Sequence, residues 1–231
     1  MSLLLQIQTV PDSLTNPEIT KKTLSVVDLI TSGGIGGNLV MGALGILSIF
    51  AIYILIERFS AIKKASKEDE NFLKSIQNFV EAKDIESAKT LCRNTDSPIS
   101  RMIEKGVNRI NKPMTDISAA IENQGKLEVF KMENNLANLA TISGAAPMIG
   151  FLGTVIGMIV AFHEMASAGG NIDVEMLSKG IYTAMTTTVA GLIVGIIAFI
   201  AYNYLVSKVD KVVFMLEAKT TEFLDLLHHN E

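Results

Sequence analysis

The chain has 231 residues, of which 48% are hydrophobic, with a formal net charge of −4 and a mean hydropathy of +0.36. The acidic balance excludes nucleic acid as a partner, because that calls for a basic face. A single cysteine, Cys92, excludes an internal disulfide and reads as a small buried apolar residue.

The distribution of charge sets the class. No Asp, Glu, Lys or Arg falls in residues 29–56, 134–163 or 180–207. An uncharged apolar run of about 20 residues is long enough to cross the hydrocarbon core as a helix. The sequence therefore predicts an all-α integral membrane protein with three transmembrane helices and long cytoplasmic helical extensions.

Residues 1–38 form the N-terminal segment, with Pro11 and Pro17 and no basic n-region of a cleavable signal, so insertion is expected to rely on the first span. Leu24, Val27 and Ile30 make a stripe that reads as a short interfacial helix, or as a frayed tail, broken at Gly33-Gly34. The first span, 39–57, ends at Glu57 and Arg58, followed by Lys63, Lys64 and Lys67. Cytoplasmic flanks carry the Lys/Arg excess, which puts the N-terminus outside and residue 58 onward inside. Glu57 and Arg58 are expected to anchor this span at the inner interface, Arg58 snorkelling to phospholipid headgroups.

Residues 58–138 are expected to form a cytoplasmic helical domain. One helical segment is predicted over 69–93, with Phe72, Ile76, Phe79 and Val80, then Ile85, Ala88 and Leu91, on recurring faces. Ser97-Pro98 ends it. A second runs over 99–110, and Asn111-Lys112-Pro113 ends that. A third starts near Thr115-Asp116, which is good N-cap chemistry. Its apolar positions Ile117, Ile121, Phe130 and Leu136 predict one continuous helix into the second span, roughly 70 Å long.

The second span, 139–163, is entered from Lys126 and Lys131. The loop over 164–180 is short and mostly acidic, as an outer loop. The third span, 181–206, exits to Lys208 and Lys211, and 207–231 continues it as a cytoplasmic helix with Val209, Val212, Val213, Leu216, Phe223 and Leu227. The C-terminus is thus inside.

The spans differ in character. The first is greasy, with Ser48 and Tyr53 as its polar groups, and suits lipid. The second and third carry small residues and hydroxyls, the composition of close helix contacts in lipid. Gly153 and Gly157 form one GxxxG, and Gly191 and Gly195 another. With Gly144, Gly150 and Ala161 nearby they predict tight self-association. Thr154 shares a face with Gly150, Gly157 and Ala161. Thr186, Thr187 and Thr188 follow one another, so at least one faces a protein interior, unless each hydroxyl bonds only its own i−4 carbonyl. A bare hydroxyl does not titrate near neutral pH, so proton conduction requires a titratable group from a partner. His163, His228 and His229 have no nucleophile or metal partners at recognisable spacing, which points away from an enzyme, a metal site or a cofactor.

The run from Ala146 through Pro147, Gly150, Gly153, Thr154 and Gly157 to Met158 resembles the second-span signature of the MotA/TolQ/ExbB proton channel family. Gly180-Ile181-Tyr182-Thr183-Ala184, then Thr188-Val189-Ala190-Gly191-Leu192 with Tyr202-Asn203, resembles its third-span signature. Ala82, Asp84, Ala88 and Cys92, followed by Ser97-Pro98, look like the ExbB branch. The resemblance implies a homo-pentameric ring enclosing the helices of an ExbD-like dimer in the bacterial inner membrane. An aspartate of that dimer would carry the proton beside Thr154 and Thr188, with Thr187 and Thr183 also lining the path. Gly150, Gly153, Gly157, Gly191, Gly195 and Pro147 would pack the helices. The work would reach outer-membrane receptors through a TonB-like protein. In one respect the chain departs from the pattern: many ExbB and TolQ members carry a glutamate early in the third span, where Thr183 stands here. The ring then contributes no titratable side chain, and the partner aspartate is the sole carrier. A TolQ-like or gliding-motor subunit fits the same core. A non-conducting membrane scaffold also fits GxxxG packing, and predicts that Thr154→Ala and Thr188→Ala leave function intact.

Overall fold

A computed structural model describes residues 34–66, 70–167 and 174–229, which form seven helices. These are α1 (Gly34–Ala65), α2 (Glu70–Glu81), α3 (Ile85–Asn94), α4 (Pro98–Val107), α5 (Met114–Glu133), α6 (Leu136–Ser167) and α7 (Val174–His229). The interfacial helix expected at 23–30 lies outside the described residues. Three stretches are long and apolar enough to cross a membrane: Gly36–Ala65, Met114–Ser167 and Leu177–His228.

α6 and α7 form the most extensive helix pair, and α1 lies against both. On α1, Val40, Leu44, Ala51 and Ile54 turn inward, while Ile46, Ile49, Phe50, Ile52, Tyr53 and Ile56 stay exposed. That split suits a helix with lipid on one side and protein on the other. α7 runs unbroken through the apolar region and beyond it. Its buried Leu205, Val209, Val212, Leu216, Phe223 and Leu227 recur at helical spacing on one face. That stripe joins Phe72, Ile76, Ile103, Ile117 and Ile121 of α2, α4 and α5 in a single core. Cys92 is buried in it, and burial, with Glu104 nearby, pushes its thiol up to about 12, so it packs as an apolar residue.

Two breaks correct the expected helices. The segment over 69–93 is two helices, because Lys83 sits at φ 57 and Asp84 caps α3, accepting from the Ser87 amide at 3.1 Å. The helix leading from 115 into the apolar region is also two. α5 ends at Glu133, Asn135 turns to φ 64, and α6 restarts at Leu136. Asparagine tolerates the left-handed region better than most residues. The Asn135 carbonyl then accepts from the Leu139 amide at 3.2 Å and opens α6. α5 itself follows Pro113 without a side-chain cap, so Thr115 and Asp116 lie in its first turn instead of capping it. The break at Ser97-Pro98 stands as read: Ser97 and Ser100 form a reciprocal capping box at the start of α4.

The Asn135 turn gives a direct test. Asn135→Ala should destabilise the protein by about 1 kcal/mol, the penalty of a Cβ-bearing residue without a polar side chain in left-handed geometry. Asn135→Gly should stay close to wild type. Thermal unfolding midpoints in detergent read both, and an alanine variant as stable as wild type would show that the turn is not held.

Candidate functional site

The α6–α7 contact is built from residues without bulk. A Cβ on Gly150 would lie 2.7 Å from the Thr187 carbonyl oxygen and 3.0 Å from Gly191 Cα. One on Gly191 would lie 2.6 Å from the Ala146 carbonyl oxygen, and one on Gly195 2.6 Å from Pro147 Cγ. Gly157 faces Ala184, while Gly153 faces Thr187 and, on the α1 side, Val40. Real side chains do not approach backbone this closely, so glycine sets the helix separation. Of the glycines expected to drive self-association, Gly150, Gly153, Gly157, Gly191 and Gly195 are therefore occupied within one chain, and Gly144 is not.

Close approach carries hydroxyls from one helix to carbonyls of the other. Thr154 Oγ1 donates to the Ala184 carbonyl at 2.9 Å and also contacts Thr188 Oγ1 directly. Thr188 Oγ1 reaches the Gly150 carbonyl at 3.2 Å. Thr187 Oγ1 lies 3.1 Å from that same carbonyl and 2.7 Å from the carbonyl of Ala184. Thr183 and Thr186 instead bond their own i−4 carbonyls, of Lys179 and Tyr182. The local-bond alternative thus describes Thr183 and Thr186, and not the cross-helix trio of Thr154, Thr187 and Thr188.

Exposure separates the four candidate threonines. Thr154 and Thr188 are half-buried. Thr187 is 2% exposed and Thr183 9%, both enclosed by the packed helices. On the α1 side, a Cβ built on Gly37 would stand 3.9 Å from the Thr183 methyl. The site therefore has two layers: a half-exposed hydroxyl pair, and buried threonines behind it. No Asp, Glu, Lys or Arg lies in the flanking stretches 134–163 and 180–207. This arrangement can donate to an anion and accept from a protonated acid or water, but it cannot hold a proton of its own.

Arg58 points inward, away from the direction expected. Arg58 is 8% exposed, and its Nη1 donates to the Lys131 carbonyl at 2.9 Å, while Nη2 pairs with Glu57. The Asn135 side chain reaches Glu57 at 3.5 Å. Lys131 lies in the last turn of α5, where carbonyls lack an intrahelical donor and the helix dipole is negative. A guanidinium satisfies both conditions, so Arg58 turns inward to cap α5 instead of reaching headgroups. It fastens α1 to the α5–α6 turn.

An ion cluster around one buried carboxylate adjoins this fastening. Glu128 is 2% exposed and takes a bidentate pair from Arg101, 3.0 Å from Nε and 2.7 Å from Nη2. Lys131 at 2.9 Å and Gln124 at 2.8 Å complete its shell. Asp96 links Arg101 at 2.8 Å to Lys64 of α1 at 2.6 Å. Burial pushes the Glu128 carboxyl up, but the hydrogen bonds from Arg101 and Lys131 outweigh it and hold the group below the ordinary glutamate value. Glu128 is absent from the apolar positions that predict this helix, and Phe130, which is among them, is 71% exposed. The signal was present: Glu128 shares helical spacing with Ile117, Ile121, Gly125 and Met132, all buried.

Comparison with known proteins follows the same residues. The profile described as the MotA/TolQ/ExbB proton channel family matches residues 94–218. A biopolymer transport protein ExbB homologue of Methanothermobacter thermautotrophicus is 26% identical over 187 residues, 80% of this chain and 64% of the relative. The biopolymer transport protein ExbB of Helicobacter pylori is 40% identical over 79 residues, 34% of this chain and 54% of the relative. The Tol-Pal system protein TolQ of Pseudomonas aeruginosa is 24% identical over 223 residues, 92% of this chain and 96% of the relative. The chain thus spans less than two thirds of the first two relatives and nearly all of the third.

Proposed function

Because the chain belongs to the MotA/TolQ/ExbB proton channel family, we propose that it is the ring-forming channel subunit of a proton-driven energiser in the bacterial inner membrane. Five copies enclose the transmembrane helices of an ExbD-like dimer, whose aspartate carries the proton. The N-terminus lies in the periplasm, and the helical domain over 58–138 and the C-terminal part of α7 lie in the cytoplasm, as the Lys/Arg flanks of the spans favour. A TonB-like protein takes the work to outer-membrane receptors.

The observation that carries this reading is the half-exposed Thr154–Thr188 pair in a charge-free apolar region. A carboxylate facing the pair accepts a hydrogen bond from a hydroxyl when ionised, and donates one to the same oxygens when protonated. Each proton crossing a 100 mV potential releases about 2.3 kcal/mol, which is available for moving the dimer against the ring. A TolQ-like role in a Tol-Pal system is the second reading, favoured by the near full-length alignment to the P. aeruginosa protein.

Co-expression with the adjacent ExbD-like partner, in strains lacking either their own TonB-system or their own Tol energiser, separates these readings. Restored receptor-dependent uptake supports the first, and restored envelope integrity the second. In the strain that is restored, Thr154→Ala and Thr188→Ala should each reduce the restored function at least about tenfold, the loss of one hydrogen bond to a charged group, while the complex still assembles. Full function in both variants would sink the conduction role, and restoration of neither strain would favour a non-conducting scaffold.

A further inference from the structure

Three hydroxyls at the site share too few acceptors. The Gly150 carbonyl lies within reach of Thr187 at 3.1 Å, Thr188 at 3.2 Å and Thr154 at 3.5 Å. The Ala184 carbonyl lies within reach of Thr187 at 2.7 Å and Thr154 at 2.9 Å. Each hydroxyl has one proton, and each carbonyl of a helix has one lone pair beyond its ladder bond. Three protons must therefore be placed among two carbonyls and the Thr154–Thr188 contact.

With the 3.5 Å contact of Thr154 to Gly150 set aside as too long for a hydroxyl bond, two arrangements satisfy both carbonyls and that contact. In one, Thr187 donates to Ala184, Thr188 to Gly150, and Thr154 to Thr188. In the other, Thr187 donates to Gly150, Thr154 to Ala184, and Thr188 to Thr154. They differ in what Thr188 can do next. In the first, turning its proton outward strips a buried carbonyl of its donor, which is unfavourable in an apolar interior. In the second, Gly150 is already served by Thr187. Thr188 can then turn outward and leave only the half-exposed Thr154 oxygen without that donor.

We propose that Thr187 is a positioning residue that governs this choice. Its hydroxyl swings between the Ala184 and Gly150 carbonyls, and with its proton on Gly150 the Thr188 hydroxyl is released to donate to a carboxylate in front of the pair. When that carboxylate is protonated, Thr187 returns to Ala184 and Thr188 to Gly150. At 2% exposure Thr187 never meets the carboxylate itself. No covalent bond changes in the exchange; one hydroxyl proton is re-aimed at each of the three threonines. The inference rests on the channel reading above and adds a member that acts through Thr188.

The test compares proton flux in vesicles holding the complex with its partner, for wild type, Thr187→Val and Thr187→Ser, with Thr188→Ala alongside. Valine keeps the side-chain volume and removes the proton, while serine keeps the proton and removes the methyl. Flux should fall about tenfold in Thr187→Val, because Thr188 is then held on the Gly150 carbonyl and its hydrogen bond to the charged carboxylate is lost, and return in Thr187→Ser. If Thr187 only fills space against Gly153, the order reverses: valine conducts and serine fails, and the proposal is overturned. If Thr188→Ala is impaired while Thr187→Val conducts as wild type does, this inference falls and the channel reading stands. If Thr188→Ala and Thr187→Val both conduct as wild type does, both fall. Should Thr187→Val fail to assemble, Thr187→Cys, with only a weak S–H donor, takes its place with the same expectation against Thr187→Ser.

Discussion

Gly191→Val should leave little or no monodisperse protein in detergent, and Gly150→Val should behave alike. The atoms that a new side chain would meet at these positions are mainly backbone: the Ala146 carbonyl oxygen at 2.6 Å from a Cβ on Gly191, and the Thr187 carbonyl oxygen at 2.7 Å from one on Gly150. Backbone cannot rotate aside as the end of a flexible side chain can, so α6 and α7 must separate. Separation breaks the Thr154, Thr187 and Thr188 bonds across the pair together. Overpacking of this kind destabilises by about 3 kcal/mol or more, a large share of the 5–15 kcal/mol (roughly) that a domain has in total. Gly144→Val is the control, since nothing lies within 4 Å of its Cβ position. Size-exclusion profiles of the three variants decide the matter. A monodisperse Gly191→Val protein would mean that the helices do not meet at that glycine.

Arg101→Met should lower unfolding stability by about 2 kcal/mol, because the buried Glu128 carboxylate loses its bidentate partner and its charge is left only partly compensated. Glu128 would retain Lys131 and Gln124 but lose the bidentate guanidinium. The methionine still covers the apolar surface that the arginine stem covered. The double variant Arg101→Met/Glu128→Met should recover most of the loss, since no charge is then stranded. The pH dependence has a definite sign. In wild type the folded Glu128 titrates below its ordinary value of 4.5. Its contribution is therefore full above that value and is lost as pH falls through the lower, folded one. In Arg101→Met the folded carboxyl moves upward, so acid unfolding should begin at higher pH. Denaturation profiles across the acid range check both points, and a double variant no more stable than Arg101→Met would count against the stranded charge.

The parts of this fold that the sequence made legible are those governed by long-range periodicity or by the absence of charge. Three uncharged runs marked the apolar helices, and the spacing of Val209, Val212, Leu216, Phe223 and Leu227 marked the extension of α7. The missed features turn on single residues. Lys83 and Asn135 break helices by adopting positive φ, a choice that leaves the apolar pattern on either side intact. One miss then produced another. Without the break at Asn135 there is no free carbonyl at Lys131, and without that carbonyl Arg58 has no reason to turn inward. Within the site, the small-residue faces of α6 and α7 were readable, and Thr154 and Thr188 were singled out by resemblance. The shared use of the Gly150 and Ala184 carbonyls was not readable, because it depends on the rotation of α6 against α7, which their glycines leave open until the helices dock.

α7 has 56 residues and no proline, which at 1.5 Å per residue makes a rod roughly 84 Å long. Thr188 lies near one end of it, with about 60 Å of helix between it and His229. Such a rod is a lever with unequal arms. A tilt of about 5° pivoting at Thr188, too small to disturb the short arm by more than about 2 Å, sweeps the far tip through about 5 Å. A change of angle too small to displace the hydroxyls would therefore appear as a shift of several ångströms near Leu227 (about 5 Å at the tip), far from the place where it begins.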